Sequence, residues 1–589
     1  MFSLSNQSKL LYLQNRDILT LIFHFPQTNK KKNIVEDIMK KLSLIIILAL
    51  CSVALFAQNV DWLWAKKAGG TALDFGWDIA VDANGNSYIT GSFYDSSTFG
   101  TTTLTSSGSQ DISIAKLNSN GNWLWIKQAG GTSEDYGSRI AVDANGNSYI
   151  TGYFEGSATF GTTTLTSSGY YNIDIFVAKI DQNGNWLWAN QAGGTDTDCG
   201  YGIAVDANGN SYIIGVFAEN ATFGTTTLTS SGYKDIFVAK LDINGNWLWA
   251  KQAGGTSDDY GYGIAVDANG NSYVTGYFYG SAIFGTTTLT SSGDKDIFVA
   301  KLDSNGNWLW VKQAGGTIYD YGYEIAVDAN GNSYVTGYFY GIATFGATTL
   351  TSSGYYDIFV AKMDSNGNWL WAKQAGGIGE DIGLNIAIDA NGNSYVTGYF
   401  MISAIFGTTT LTSSGYYDIF VAKMDSSGNW LWAKQAGGTS NDIGIGIDVD
   451  DNGNSYITGG FIDIATFGTT TLTSSGYYDI FVAKLGEANS ISLPDIISFS
   501  GIRSIYPNPF NPLTTIDYEI SMPADVKIEV YNNRGQLVRN FILGYKEQGS
   551  YKLTWEGEDN NGCLCSTGIY YIRMQAGKEI YIKKAVLLK

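Results

Sequence analysis

Carboxylates at fixed spacing are the first residues in this chain that could do chemistry. Asp82, Asp143, Asp206, Asp267, Asp328, Asp389 and Asp450 each open the run Asp-x-Asn-Gly-Asn. Asp and Asn oxygens at alternating positions could ligate Ca²⁺. The run lacks the Gly and Glu that an EF-hand loop carries at its sixth and twelfth positions. The same residues suit a tight hairpin turn, because Asn and Gly tolerate positive φ. The turn is therefore the first reading, and calcium is the one cofactor kept open. A second series, Asp74, Asp135, Asp198, Asp259, Asp320, Asp381 and Asp442, follows a Gly-Gly pair in each case. These carboxylates either ring one mouth of a central channel and concentrate cations or ligands there, or bond nearby backbone amides and fix a turn.

Enzyme chemistry finds little support. The one histidine, His24, precedes the start expected for the exported chain, so no Ser-His-Asp arrangement can form. There is no Gly-rich phosphate loop and no His/Cys ligand cluster. Cys563 and Cys565 are one residue apart, which favours neither a disulfide nor a complete metal site. A glycan-cleaving enzyme needs unique acids in one place, and here the acids recur in near-identical copies. The expectation is a protein that is not an enzyme. An extracellular carbohydrate-active enzyme (glycan hydrolase or lyase) on the same scaffold is the alternative.

The elements that must carry these residues follow from the repeat. Trp-Leu-Trp begins at Trp62, Trp123, Trp186, Trp247, Trp308, Trp369 and Trp430, at intervals of 61 residues and once of 63. Each unit holds four strand-like segments, for example 247–252, 262–267, 271–278 and 296–303, bounded by Gly, Asn, Asp or Ser. Asn269-Gly270 and Asn305-Gly306 mark two tight turns. Four antiparallel strands repeated seven times predict a seven-bladed β-propeller over residues 58–486. The slim Ile-Ala-Val-Asp strands suit the axis and Trp-Leu-Trp the rim. No Trp-Leu-Trp follows the last unit, so the strand at 61–66 is expected to complete the seventh blade beside 479–484 and remove an open edge.

Alternate connections of an antiparallel blade share a face. The two Asn-Gly turns therefore predict one face, and the longer connections at 254–261 and 279–295 the other. Loops on a rigid scaffold are where recognition usually resides, which makes Tyr279 and Tyr340 candidate ligand-binding residues.

These units resemble the SBBP seven-bladed β-propeller repeats of secreted bacterial proteins. The resemblance rests on Asp-x-Asn-Gly-Asn-x-Tyr-x-x-Gly-x-Phe followed by Asp-Ile-Phe-Val-Ala-Lys, here residues 328–339 and 357–362. It covers 59–486 and implies a propeller and export, with no ligand attached.

After residue 486 the composition changes. A linker is expected at 487–503, followed by a small immunoglobulin-like β-sandwich at 504–589. Tyr506-Pro507-Asn508-Pro509, the turn around Gly535, Ser566-Thr567-Gly568-Ile569-Tyr570 and the closing run from Lys583 and Lys584 resemble the type A C-terminal sorting domain of the type IX secretion system. That resemblance implies recognition by outer-membrane export machinery and a secreted or cell-surface location in a Gram-negative bacterium. The carrying residues are Pro507, Asn508, Pro509, Gly535, Gly568, Lys583 and Lys584.

Residues 39–57 have the charged start, apolar run and small final residue of a secretory signal peptide. Residues 1–38 would then be upstream mistranslation. The apolar run is short of the ~20 residues of a membrane span, so the mature chain is expected to have none. A formal charge of −19 repels phosphate backbones and argues against nucleic acid. The whole reads as an exported binding, adhesion or scaffold propeller whose partner is a glycan or a protein.

Overall fold

The computed structural model describes residues 60–168, 172–487, 500–547 and 549–588. The expected leader at 39–57 and the segment 1–38 lie outside them. All named elements are strands, and two compact units divide between residues 488 and 489. Among the described residues no helix is long and apolar enough to cross a membrane.

The first unit is the seven-bladed propeller. In the fourth blade the inner strand Tyr260–Val266 pairs with Ser272–Phe284, which pairs with Thr287–Leu302, which pairs with the outer strand Trp308–Gly316. All three ladders are antiparallel. The inner strands pack side by side around an axis, and the seventh, Asp442–Val449, packs against the first, Asp74–Val81. The strand Val60–Gly69 pairs with Thr470–Glu487 through Trp62↔Leu485 to Ala68↔Ile480. The ring is thus closed by an outer strand that comes from the other end of the propeller sequence.

The tight turns form because their side chains replace missing backbone partners. Asp267 Oδ1 accepts the amides of Asn269 and Asn271, both at 2.9 Å, while Asn271 Nδ2 donates to Asp267 Oδ2 at 2.7 Å. Tyr273, fully buried, adds its hydroxyl to the same carboxylate at 3.3 Å. Lys301 Nζ lies 4.6 Å from the Tyr273 ring centre and 3.8 Å from Asp267 Oδ2. Trp310 Nε1 then donates to the Ser365 carbonyl of the next blade at 3.2 Å.

One expectation needs correction. The segment 279–295 is not an open loop. Both flanking strands run on into it as a bent hairpin, with Ser281↔Thr290, Ala282↔Leu289 and Phe284↔Thr287 after a bulge at Gly280. Its Thr residues are β-branched and favour extended backbone, and Gly285, at φ 61°, makes the tip. Phe284 and Leu289 are buried. The tail of the preceding outer strand pairs with the hairpin through Ala253↔Phe284, so the hairpin ties adjacent blades together.

The second unit is an immunoglobulin-like sandwich. Gly501–Tyr506, Thr514–Ile520 and Gly549–Trp555 form one sheet; Leu537–Lys546, Ala524–Asn532, Gly568–Ala576 and Glu579–Leu587 form the other. Trp555, Ile516, Ile528, Ile572 and Met574 are among its core residues.

Candidate functional site

The inner strands position the site. Every one of them carries a β-bulge near its middle, as between Gly76 and Asp78, Gly261 and Gly263, or Gly322 and Glu324. The extra residue has no cross-strand partner, and a bulge re-aims side chains. In chain order this residue is Trp77, Ser138, Tyr201, Tyr262, Tyr323, Leu384 and Ile445. All seven line a cavity of about 430 Å³ at the end of the channel where the inner strands begin, together with Phe75, Tyr136, Tyr153, Arg139 and Ile443. The bulge depends on glycine beside it: a Cβ on Gly76 would lie 2.2 Å from Thr458 Oγ1 of the neighbouring blade.

The aromatic rings form a collar. Phe75 stacks on Trp77 at 5.1 Å, Tyr136 on Tyr153 at 4.7 Å, and Tyr262 meets Tyr201 at 5.3 Å and Tyr323 at 5.4 Å. Trp77 Nε1 is fixed by the Ser92 hydroxyl at 2.7 Å. Burial raises the hydroxyl pKa of Tyr201, Tyr262 and Tyr323, so these phenols stay neutral.

The floor of this cup is polar. Arg139 Nε donates to Glu324 Oε2 across the axis at 3.2 Å, and Arg139 Nη1 to the Ser138 carbonyl at 3.2 Å. Asn385 Nδ2 donates to Asp78 Oδ1 at 3.2 Å, and the Ile140 amide to Asp78 Oδ2 at 3.0 Å. Burial raises Asp78 and pushes Glu324 up to about 7, against the pull of Arg139. Burial works to lower Arg139, but Asp78 and Glu324 outweigh it and hold the guanidinium charged. Below the floor a second cavity of about 380 Å³ is lined by the Ile, Ala and Val ends of the inner strands and by Asp448. Burial pushes Asp448 up to about 7 while it accepts the Val81 amide at 2.7 Å.

These positions are where the repeats differ. Next to the extra residue stand Asp78, Arg139, Gly202, Gly263, Glu324, Asn385 and Gly446, whereas the Ile that follows is the same in all seven units. Recurrence along the chain does not mark this slot. The usable signal was the reverse: positions that change inside an otherwise repeated strand.

The sequence-derived candidates fall elsewhere. The Asp82, Asp143, Asp206, Asp267, Asp328, Asp389 and Asp450 series sits in the tight turns on the opposite face. At Asp82 both oxygens take N–H donors: Asn84 and Asn86 amides on Oδ1 at 2.9 Å, and Asn86 Nδ2 on Oδ2 at 2.8 Å. The Asn amide nitrogen faces the carboxylate, so in this arrangement hydrogen bonds hold the turn. Among the described residues no group of three or more His, Cys, Asp or Glu is disposed to hold a metal.

The second series, Asp74, Asp135, Asp198, Asp259, Asp320, Asp381 and Asp442, does not ring the channel. Each carboxylate is 0 % exposed. Asp259 Oδ2 accepts the Gly255 amide at 2.7 Å and Oδ1 the Tyr279 amide at 3.0 Å, which pins the linking segment to the hairpin base. Burial pushes Asp135, Asp198 and Asp442 up to about 8, and Asp74, Asp259, Asp320 and Asp381 to about 7.

Tyr279 and Tyr340 lie on the face that carries the cup but outside its lining. Tyr279 is 42 % exposed. Tyr340 joins the collar through a chain of rings: Tyr356 at 5.8 Å, then Tyr338 at 4.7 Å, then Tyr323 at 5.7 Å.

In the second unit the motif residues hold the sandwich together. Asn508 Nδ2 donates to the Lys584 carbonyl at 3.0 Å and Asn508 Oδ1 accepts the Val586 amide at 2.8 Å. The Pro507 carbonyl accepts the Thr514 hydroxyl at 2.7 Å, while Pro507 and Pro509 are exposed. Lys583 Nζ reaches the Arg503 carbonyl at 2.6 Å. Gly535, at φ 74°, makes a turn, and Gly568 opens a strand.

The fold and its repeats define a β-propeller repeat protein with an immunoglobulin-like module. The "Beta-propeller repeat" family model matches residues 124–153, 248–277, 309–338, 370–399 and 431–459, and the "FlgD Ig-like domain" model matches 512–579. An uncharacterized WD repeat-containing protein of Acanthamoeba polyphaga mimivirus is 26% identical over 68% of this chain and 36% of its own length. The regulatory protein FlaEY of Caulobacter vibrioides is 27% identical over 49% of this chain and 32% of its own length. The chain thus spans about a third of each relative. Among solved structures, a fungal alcohol oxidase of the AA5 family aligns with a TM-score of 0.35 at 11% identity over 90% of this chain and 100% of its own. PorZ, a type IX secretion component of Porphyromonas gingivalis, aligns with a TM-score of 0.24 at 12% identity over 87% and 70%.

Proposed function

We propose that this chain is an exported binding propeller that captures its ligand in the aromatic cup, and that its C-terminal module serves delivery to the cell surface through the type IX route. The observation that carries the binding role is the asymmetry of the cup. Seven near-identical units would bind nothing distinctive on the axis if their inner strands were alike. Instead the sequence differs there, and the differences assemble one aromatic wall, one aliphatic wall and one charged floor. Ligand pockets are concave, mostly apolar and furnished with a few placed polar groups.

A binding role accounts for the floor better than catalysis does. Asp78 and Glu324 are the carboxylates of the floor, and both are engaged by Arg139, Asn385 or backbone amides. A general acid or base needs a reach to substrate that such a clamp denies. The delivery role rests on the resemblance of 504–589 to sorting domains and on the leader-like sequence of 39–57.

The test uses cells displaying the full chain, scored for adhesion to immobilised extracellular polysaccharide and protein. The double variant Trp77→Ala, Tyr262→Ala is expected to abolish adhesion while surface display holds. Unchanged adhesion by that variant overturns the binding role assigned to the cup.

A further inference from the structure

We infer that the ligand of the cup is the uncharged, ring-bearing end of a carbohydrate chain. This rests on the cup being the binding site and adds the chemistry of what enters it.

Size is the first argument. A volume of about 430 Å³ lies in the range of small-molecule pockets, roughly 300–1,000 Å³. It admits a few sugar rings or one end of a chain, not a protein surface.

Charge is the second. Arg139 is the only charged side chain lining the cup. Asp78 lies close enough to act on it electrostatically and Glu324 is bonded to it, so the guanidinium arrives already neutralised. An anionic ligand would find its positive charge spent and would approach a chain of formal charge −19. A cationic ligand would attract the ring faces but would meet a guanidinium at the floor. An uncharged ligand pays neither cost.

Polarity is the third. A purely apolar ligand calls for Leu, Ile and Phe on all sides. Here one wall is Trp77, Tyr201, Tyr262 and Tyr323, whose N–H and hydroxyl groups are held by Ser92, Cys199, Tyr277 and Tyr338 so that the ring faces are what the wall offers, and Ser138 lies between Trp77 and Tyr201 in the ring order. Flat apolar ring faces match the C–H faces of a pyranose, and Ser138 and Arg139 stand in the same lining to meet its hydroxyls. The Arg139 side chain keeps 17 % of its surface open and contributes N–H donors that sugar oxygens can accept.

The experiment is calorimetric titration of the full-length chain with four probes: maltohexaose, cellohexaose, an oligogalacturonate and tetramethylammonium. Binding by one or both neutral oligosaccharides is expected. Trp77→Ala should weaken it about tenfold or more, the scale of one lost aromatic contact, and Trp77→Phe should recover part of it. Binding of oligogalacturonate or tetramethylammonium alone, lost in Trp77→Ala, would overturn the uncharged-sugar inference and leave the cup as the site. Binding that is equal in wild type, Trp77→Ala and Tyr262→Ala would overturn the cup itself. No binding by either neutral oligosaccharide at millimolar concentration would reject the carbohydrate assignment.

Discussion

Trp62→Ala removes the anchor of the strand that closes the ring, and its cost can be worked from the structure. Trp62 is 8 % exposed. Its ring meets Phe467 edge-on at 5.1 Å, and its Nε1 donates to the Gln435 carbonyl of the sixth blade at 3.1 Å. A buried Trp hides roughly 150–250 Å², worth about 4–6 kcal/mol at ~25 cal/mol per Å². Measured Trp-to-Ala costs in cores run about 3–5 kcal/mol, so ~4 kcal/mol is the working figure. What distinguishes this site is connectivity. Trp308 sits in an outer strand joined to its own blade by a short turn, whereas Val60–Gly69 belongs to a blade whose other strands begin at Asp442. It can peel away without unfolding the blade. Hydrogen exchange reads this directly: amides in 480–485 that pair with the closing strand should exchange on the order of 10³-fold faster in Trp62→Ala, since each 1.4 kcal/mol is about tenfold. Trp308→Ala should leave those amides unchanged. Equal exchange in both variants, or none in either, would refute closure by this strand.

Stability should fall as pH rises from about 5 to 8.5. The second Asp series has folded pKa values raised to about 7 or 8 from an ordinary 3.8. The folded state then binds more protons in that window, and the stabilisation is complete below the unfolded pKa and lost through the folded one. The melting temperature measured at pH 5 should exceed that at pH 8, and the opposite order would reject the assignment. Asp135→Asn keeps an oxygen for the Gly131 amide, which now bonds Asp135 Oδ2 at 2.7 Å, and should flatten the pH profile in proportion to one site of seven. Deleting 504–589 should leave the propeller folded in the periplasm and absent from the surface in a protease-accessibility assay; normal display would count against the delivery role. Asn508→Ala removes both of its bonds to the final strand, and should destabilise the C-terminal module by about 1–3 kcal/mol; an unchanged melting midpoint would contradict that clamp.

The propeller was legible because its signals are local and repeated. Asn-Gly turns and Trp-Leu-Trp strands are visible in one unit, and counting the units shows the missing final outer strand and its replacement by 61–66; the register Trp62↔Leu485 comes from the structure. The hairpins at 279–295 and their counterparts were not legible as strands, because Thr, Ser and Gly runs carry little hydrophobic alternation and look like loop. The Asp series were visible as residues but not as environments. Whether a carboxylate faces a channel or lies 0 % exposed under a hairpin depends on how blades meet, which no single unit encodes. The cup was hidden for another reason. Its lining comes from the same slot in seven different blades, so Trp77 and Tyr323 are far apart in sequence and share no motif. Arg139 and Glu324 are 185 residues apart, and only closure of the ring brings them together.

Hydroxyl-radical footprinting of the full-length chain, with and without the tightest oligosaccharide from the titrations, tests the central claim most directly. Ligand should protect Trp77, Tyr136 and Tyr201 in the cup, and leave Tyr233, which is 70 % exposed, and Trp308 at the rim oxidised as before. Protection at Tyr233 or at the rim, with Trp77 and Tyr201 unchanged, would contradict capture in the cup.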